Sequence, residues 1–484
     1  MTLRRRNLLL GGVALGALAA CSGNTDQLVA PDGPEVRAAE AARKGGRVNE
    51  FRLETTVSKV DIAGTVATAW SYGGRLPGPA IRVNAGEQIK ATVVNRLPVA
   101  TSVHWHGLAL RNDADGVPQV TQQPVVAGSE FTYQFTATTP GTYWFHPHTG
   151  TQLDRGLYAP LIVQDPNEPL SYDDEWVVVL DDWSQRDPDE ILAELRKGMM
   201  GMGGGGHLMA TSVLLGGDAG DVDYPSFLLN GRPPTDPETY QGKPGQRVRI
   251  RFINAGSDTA FRVAVGGHKM TVTHTDGYPV VPIDTDSLLI GMGERYDVLV
   301  TLGDGVFPLI ALAEGKNASA FAMLRTASGD TPPPTVRPVE LDRKIVAYRQ
   351  LKPAESVWLK ARPADRTVRL ELTGGMMGYD WGFNGKRFDH KRALKDVYPV
   401  AAGERVRIDL VNTTTMFHPI HLHGHTFAIG YAAGPRKDTA IVLPGETVPM
   451  FFDADNPGLW MIHCHNVYHA EAGMMATIGY LRKG

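Results

Sequence analysis

Ten of the fifteen histidines in this 484-residue chain fall in four short clusters, two before residue 150 and two after residue 415. They are His104-Trp105-His106-Gly107, His146-Pro147-His148, His418-Pro419-Ile420-His421-Leu422-His423, and His463-Cys464-His465 with His469 and Met474 close behind. One His-x-His pair is weak evidence, because any two histidines sharing a sheet face have this spacing. Four such clusters are not explained by core filling, and they constrain the chain to bring its two ends together.

The last cluster carries the most geometry. In an extended strand His463 and His465 project to one face and Cys464 to the other, so one tripeptide reaches two metal sites across a few covalent bonds. A thiolate, two imidazoles and a weak axial thioether form the donor set of a blue electron-transfer copper, and Cys464, His418, His469 and Met474 supply it. His104, His106, His146, His148, His421, His423, His463 and His465 remain. Eight imidazoles are too many for one metal and suit several coppers at a domain interface, half the ligands coming from each terminal domain. Such a cluster can gather four electrons and reduce dioxygen without releasing partly reduced oxygen.

The rest of the chain reads as strand. It is about three times the usual domain length, so two or three cores are expected. Its 54 glycines and 33 prolines are dispersed, and short Val/Ile/Thr/Tyr runs lie between turn residues, a composition more typical of β-sandwiches than of helical proteins. The turn-rich Asp165-Pro166-Asn167-Glu168-Pro169 and the four prolines of residues 328–338 divide the chain into regions 47–168, 169–338 and 339–484. All three share a glycine turn followed by alternating residues that end in asparagine: Gly86 to Asn95, Gly245 to Asn254, Gly403 to Asn412. A recurrence at roughly 160 residues means related domains, since solenoid repeats run about 20 to 50.

Residues 1–46 are set apart from the fold. Arg4, Arg5 and Arg6 lead into an apolar stretch, residues 8–20, too short to span a bilayer. Arg5-Arg6-Asn7-Leu8-Leu9 resembles a twin-arginine export signal, and Leu18-Ala19-Ala20-Cys21 resembles a lipobox in which Cys21 becomes the lipidated first residue. A plain secretory peptide with an incidental cysteine is the alternative. Residues 22–46 are rich in Ala, Pro, Gly and charge without an apolar period, which predicts a flexible tether. A lipid-anchored monomer in the periplasm or cell envelope is expected, touching membrane only through Cys21. Without residues 1–20 the chain has 45 basic against 52 acidic residues, a net −7 that gives no support to a nucleic-acid or anionic-membrane partner. Cys21 and Cys464 are the only cysteines, and an exported protein without a plausible disulfide uses them otherwise.

In order and spacing, the four histidine motifs resemble those of the multicopper oxidases, the family of laccases and bacterial cuprous oxidases. The similarity covers nearly the whole chain from about residue 47. It implies an all-β chain of three cupredoxin-like Greek-key β-sandwich domains, with four copper ions in the first and third. By motif position His104 and His421 would bind the type 2 copper, and His106, His146, His148, His423, His463 and His465 the type 3 pair. Cys464, His418 and His469 would bind the type 1 copper, with Met474 axial. Asp115 matches the acid that supplies protons to the oxygen cluster; an ordinary turn aspartate is the plain alternative. Ala470 stands where several bacterial members carry a glutamate, leaving Glu471 as the candidate substitute.

Methionines point toward the donor. Met376 and Met377 lie between glycines, and Met416 is two residues before His418, where cuprous oxidases of the family place a substrate methionine. Thr414 replaces the aspartate those enzymes carry. Residues 191–208 read as a short helix and then a flexible run in which Met199, Met200, Met202 and Met209 flank four glycines. This is either a copper(I)-handling loop, since thioethers select that ion, or a surface insertion with incidental methionines. The leader, lipobox and methionines resemble the copper-tolerance oxidases of bacteria, particularly actinobacterial lipoproteins. The expected function is oxidation of copper(I), with phenols and aromatic amines as accessory donors, coupled to reduction of dioxygen to water. A laccase acting chiefly on phenols is the first alternative. A copper-free structural cupredoxin is disfavoured by the complete ligand set. A passive copper store would not need Cys464 between two histidines.

Overall fold

The computed structural model describes residues 27–197 and 210–482. The chain is all-β and forms three cupredoxin-like Greek-key sandwiches. In the first, a four-stranded sheet built on Val48–Ile62 and Gln88–Asn95 faces another holding Gly141–His146 and His104–His106. Ile89, Ala91 and Val93 point inward at period two and meet Tyr143, Phe145 and Leu161 from the opposite sheet. Two six-stranded sheets make the second sandwich, and a six- and a five-stranded sheet make the third.

The repeat seen in the sequence has a structural cause. Gln88–Asn95, Arg247–Asn254 and Arg405–Asn412 each run parallel to the first strand of their sandwich and antiparallel to a later one. The glycine before each has positive φ, at 87°, 80° and 89°, as the entering turn requires. The closing asparagine makes the same bonds each time. Its amide donates to two carbonyls across the loop, Val99 and Val125, Thr259 and Ile290, or Met416 and Val442. Its oxygen accepts from the backbone N–H two residues on, at Leu97, Gly256 or Thr414. Aspartate offers no such donors and leucine no partners at all, so both would leave buried backbone groups unpaired.

The stretch expected to be a flexible tether is built into the fold from residue 27. Val29 N–H donates to Tyr480 O and Arg482 N–H to Gln27 O, both at 2.8 Å, pairing residues 27–29 with the end of the C-terminal strand Met475–Leu481. The helix Pro34–Ala42 then bridges the first and third sandwiches. Glu40 accepts from Thr136 of the first, and Arg43 donates to Asn456 of the third at 2.9 Å. Three apolar residues, Leu28, Val29 and Val36, are buried and suffice to hold it, too few to register as a period. The helix expected from residue 191 is Pro188–Leu195, started three residues earlier by the Asp187 cap and by proline in its first turn. The twin-arginine leader, Cys21, and Met199, Met200, Met202 and Met209 lie outside the described residues.

Strand pairing brings the histidine clusters into register. His104 sits opposite His146 in the first sandwich, and His421 opposite His463 in the third.

Candidate metal centre

Cys464 ends the strand Leu459–Cys464, His418 begins His418–Leu422, and His469 lies in the short helix Val467–Ala472. Asn466 caps that helix, accepting from the N–H of Tyr468 and His469, and so fixes where His469 points. The Cys464 sulfur lies 3.6 Å from His418 Nδ1 and 3.7 Å from His469 Nδ1, and those nitrogens are 3.0 Å apart. All three residues are fully buried, as is Met474, whose carbonyl accepts from Cys464 N–H at 3.0 Å.

The outer nitrogens explain which ring nitrogen faces the thiol. His469 Nε2 donates to Asp221 Oδ2 at 2.9 Å, and His418 Nε2 to Thr414 Oγ1 at 2.8 Å. With its proton spent outward, each ring turns a bare Nδ1 inward, the arrangement that fixes the tautomer of a metal-binding histidine. Burial alone would lower the His469 imidazole, but the Asp221 carboxylate and the Cys464 sulfur raise it to about 10. These anions would hold a second proton on Nδ1 until a bound metal cation takes its place.

The other eight imidazoles sort into a pair and two triads. His104 Nε2 and His421 Nε2 face each other at 3.4 Å. His423 Nε2 and His463 Nε2 are 3.0 Å apart, with the His148 ring 5.0 and 4.9 Å from theirs. His106 Nδ1 and His146 Nε2 are 3.4 Å apart, with the His465 ring 4.9 and 5.2 Å away. Here too protons are used on the outside. His104 donates to Asp115 O, His421 to Asp438 O, His463 to Cys464 O and His146 to Pro147 O, all at 2.8–2.9 Å. Lone pairs facing one another at such distances repel, and neither nitrogen of buried His465 has a hydrogen-bond partner. Burial and mutual repulsion hold His146, His148, His423 and His465 well below the ordinary histidine range, in the neutral form that binds metal. These donor sets fit copper: a soft thiolate site beside an all-imidazole one.

Asp115 follows the 3₁₀ turn Asn112–Ala114 and is fully buried, unlike an ordinary turn aspartate. Its Oδ2 accepts from His423 Nδ1 at 2.9 Å, and its Oδ1 lies 3.2 Å from His104 Nδ1. Glu471 lines a narrow cavity of about 30 Å³ whose wall includes His146, His148, His463, His465 and Ala470. Burial lifts its carboxyl to about 7. The three methionines are spread out: Met416 is fully buried, Met376 packs half-buried against the core, and Met377 is 70% exposed.

Three contributors escaped the sequence reading. Asp221, in an aspartate- and glycine-rich loop, holds His469. Asp438 accepts from His106 Nε2 at 3.0 Å and through its carbonyl from His421. Arg295, from a sandwich that contributes none of these eight histidines, grips Asp438 with two bonds of 2.7 and 2.6 Å and donates to Thr142 O of the first sandwich. Burial would raise the Asp438 carboxyl, but the Arg295 guanidinium holds it well below the carboxylate range. Beside it Gly293, at φ +83°, lets the middle sandwich touch the site, for a Cβ there would meet the His465 and His106 rings at 2.9 and 3.0 Å. The only sequence clue was a charged Arg436-Lys437-Asp438 run abutting an apolar strand. Arg295→Met is expected to cost about 3–5 kcal/mol by stranding a buried carboxylate. Chemical denaturation reads that loss, and copper per chain should fall while the blue absorption persists.

Models of the multicopper oxidase family match residues 54–168, 174–328 and 361–481. The chain is 46% identical to multicopper oxidase MmcO of Mycobacterium tuberculosis, across 99% of this chain and 96% of that one. It is 29% identical to a copper resistance protein A homolog of Pseudomonas syringae pv. tomato, across 89% and 92% of the two chains. Among solved structures, the laccase from Botrytis aclada superposes with a TM-score of 0.75 at 27% identity, over 90% of this chain and 88% of that one. Fold and donor sets define a cupredoxin-type oxidoreductase that uses copper, and the chain belongs to the multicopper oxidases.

Proposed function

We propose that this oxidase removes one electron at a time from copper(I), accepts phenols and aromatic amines as accessory donors, reduces dioxygen to water, and serves copper tolerance. The observation that carries the donor assignment is at His469. Its ring is fully buried, and its outer nitrogen meets the Asp221 carboxylate rather than an open cleft. Asp221 is itself buried and also accepts from Tyr379 at 2.6 Å, so its charge acts through space, favouring approach of a small cation, whereas a large phenol has no ring edge to stack on. The likeness to a relative named for copper resistance supports this reading; the likeness to fungal laccases supports the alternative of a laccase acting mainly on phenols.

The type 1 copper would be held by Cys464, His418, His469 and Met474, the type 2 copper by His104 and His421, and the type 3 pair by the two triads. Bound there, copper supplies one-electron chemistry at the thiolate and a site for dioxygen reduction among the imidazoles. The residues do the rest. The backbone joining Cys464 to His463 and His465 links the two sites through covalent bonds. Asp115 accepts from His423 and lies beside His104, placed to relay protons to that side of the cluster, and Glu471 holds a proton in the cavity beside the triads, with a pKa suited to exchange near neutrality. Export by the twin-arginine route, with a lipid on Cys21, would place this chemistry in the cell envelope.

The test compares donors. Replacing Met376, Met377 and Met416 together should raise the KM for copper(I) about tenfold and leave that for a simple phenol within twofold, a difference of about 1 kcal/mol in ground-state binding. Equal effects on both donors would remove the dedicated cuprous site.

A further inference from the structure

The net charge of −7 hides one basic face. Residues 386–396 expose Lys386, Arg387, Lys391, Arg392 and Lys395 on the third sandwich. Lys386 pairs with Asp396 at 2.9 Å, and exposed Asp389 accepts from the N–H of Lys391. Among the described residues no carboxylate lies in ion-pair range of Arg387, Lys391, Arg392 or Lys395. A cavity of about 240 Å³ opens here, lined by the four cations Lys386, Arg387, Arg392 and Lys395 against the two carboxylates Asp389 and Asp396, a net positive wall large enough for a phosphate group.

This face lies where the N-terminal chain leaves the fold. Phe388, Ala393, Leu394 and Val397 pack into the same small apolar cluster as Leu28 and Leu481. Val397 and Leu28 both crowd the space over Gly479. Five residues lie between Cys21 and Gln27, so the reach from one to the other is at most about 20 Å. A chain tethered to a bilayer at Cys21 therefore keeps Gln27, and the apolar cluster that joins Leu28 to this face, close to the membrane surface.

We propose that the basic face of residues 386–396 docks on the phosphate headgroups of an anionic membrane, seating the third sandwich against the bilayer. The proposal rests on the reading of Cys21 as lipid-bearing. The tether supplies a high local concentration, so a few cations that would bind vesicles weakly from solution are enough to fix orientation.

Copper-loaded protein beginning at residue 21 can be coupled through Cys21 to a maleimide lipid, because Cys464 is fully buried. Lysine acetylation read by mass spectrometry then compares vesicles of phosphatidylcholine with vesicles containing about one third phosphatidylglycerol. Lys391 and Lys395 should react several-fold more slowly on the anionic vesicles, an effect erased by high salt and by combining K391E, R392E and K395E. Lys243, exposed on the second sandwich, should react equally on both. Equal labelling of Lys391 and Lys395 on the two vesicles would overturn the docking face. Equal protection by millimolar inorganic phosphate without vesicles would assign the cavity to a soluble anion and also overturn it. The mass of the N-terminal peptide from cells tests the anchor separately. A bare Cys21 removes the premise, whereas a lipidated Cys21 with equal labelling overturns the face alone.

Discussion

Cys464→Ser is expected to abolish the blue absorption and all donor oxidation while leaving the fold intact. The sulfur is the one soft anionic donor among the described candidate ligands, and it is also the start of the covalent route to His463 and His465. A hydroxyl in its place fits the same space but is neither ionised at neutral pH nor soft enough to give the intense charge-transfer band. The change removes no packing contact larger than a sulfur from a fully buried position, so the stability cost is about 1 kcal/mol. The visible spectrum, oxygen uptake and circular dichroism of the variant check the three statements. A strong visible band retained in the serine variant would sink the assignment of the thiolate site.

Asp115→Asn is expected to slow oxygen reduction by about two to three orders of magnitude without altering the blue site, the size usually lost with a general acid or base. The side chain keeps its volume and can still meet His423, but it can no longer give and take a proton between the His104 and His423 rings. The separation of effects is the useful part. Rapid mixing with donor under anaerobic conditions should bleach the blue band at the wild-type rate, whereas its return on adding oxygen should be slow. Slowed bleaching would instead mean that the substitution had disturbed electron transfer, and Asp115 would then be structural.

Much of this site was legible because its chemistry is written in short motifs. A strand alternates its faces, so His463-Cys464-His465 already stated that one sulfur and two imidazoles look in opposite directions. The recurring glycine and asparagine were legible for the same reason: each position has one conformation or bonding pattern that few residues satisfy. What stayed hidden were residues that act alone from a distance. Arg295 and Asp438 are 143 positions apart and become partners only when two sandwiches pack together. Asp221 lies 248 positions before His469 in a loop with no periodicity. The segment after residue 27 was misjudged because composition counts residues without asking where three of them land. Met416 shows the converse, since its place in the sequence pointed toward substrate whereas its side chain is wholly enclosed.

The most direct test of the central claim is the stoichiometry of oxygen uptake by copper-loaded protein given copper(I) in limiting amounts. Four copper(I) ions consumed per dioxygen, with no hydrogen peroxide released, is the result required by a thiolate site feeding an all-imidazole cluster. Two ions per dioxygen with peroxide accumulating, or no uptake above the uncatalysed rate, would contradict it.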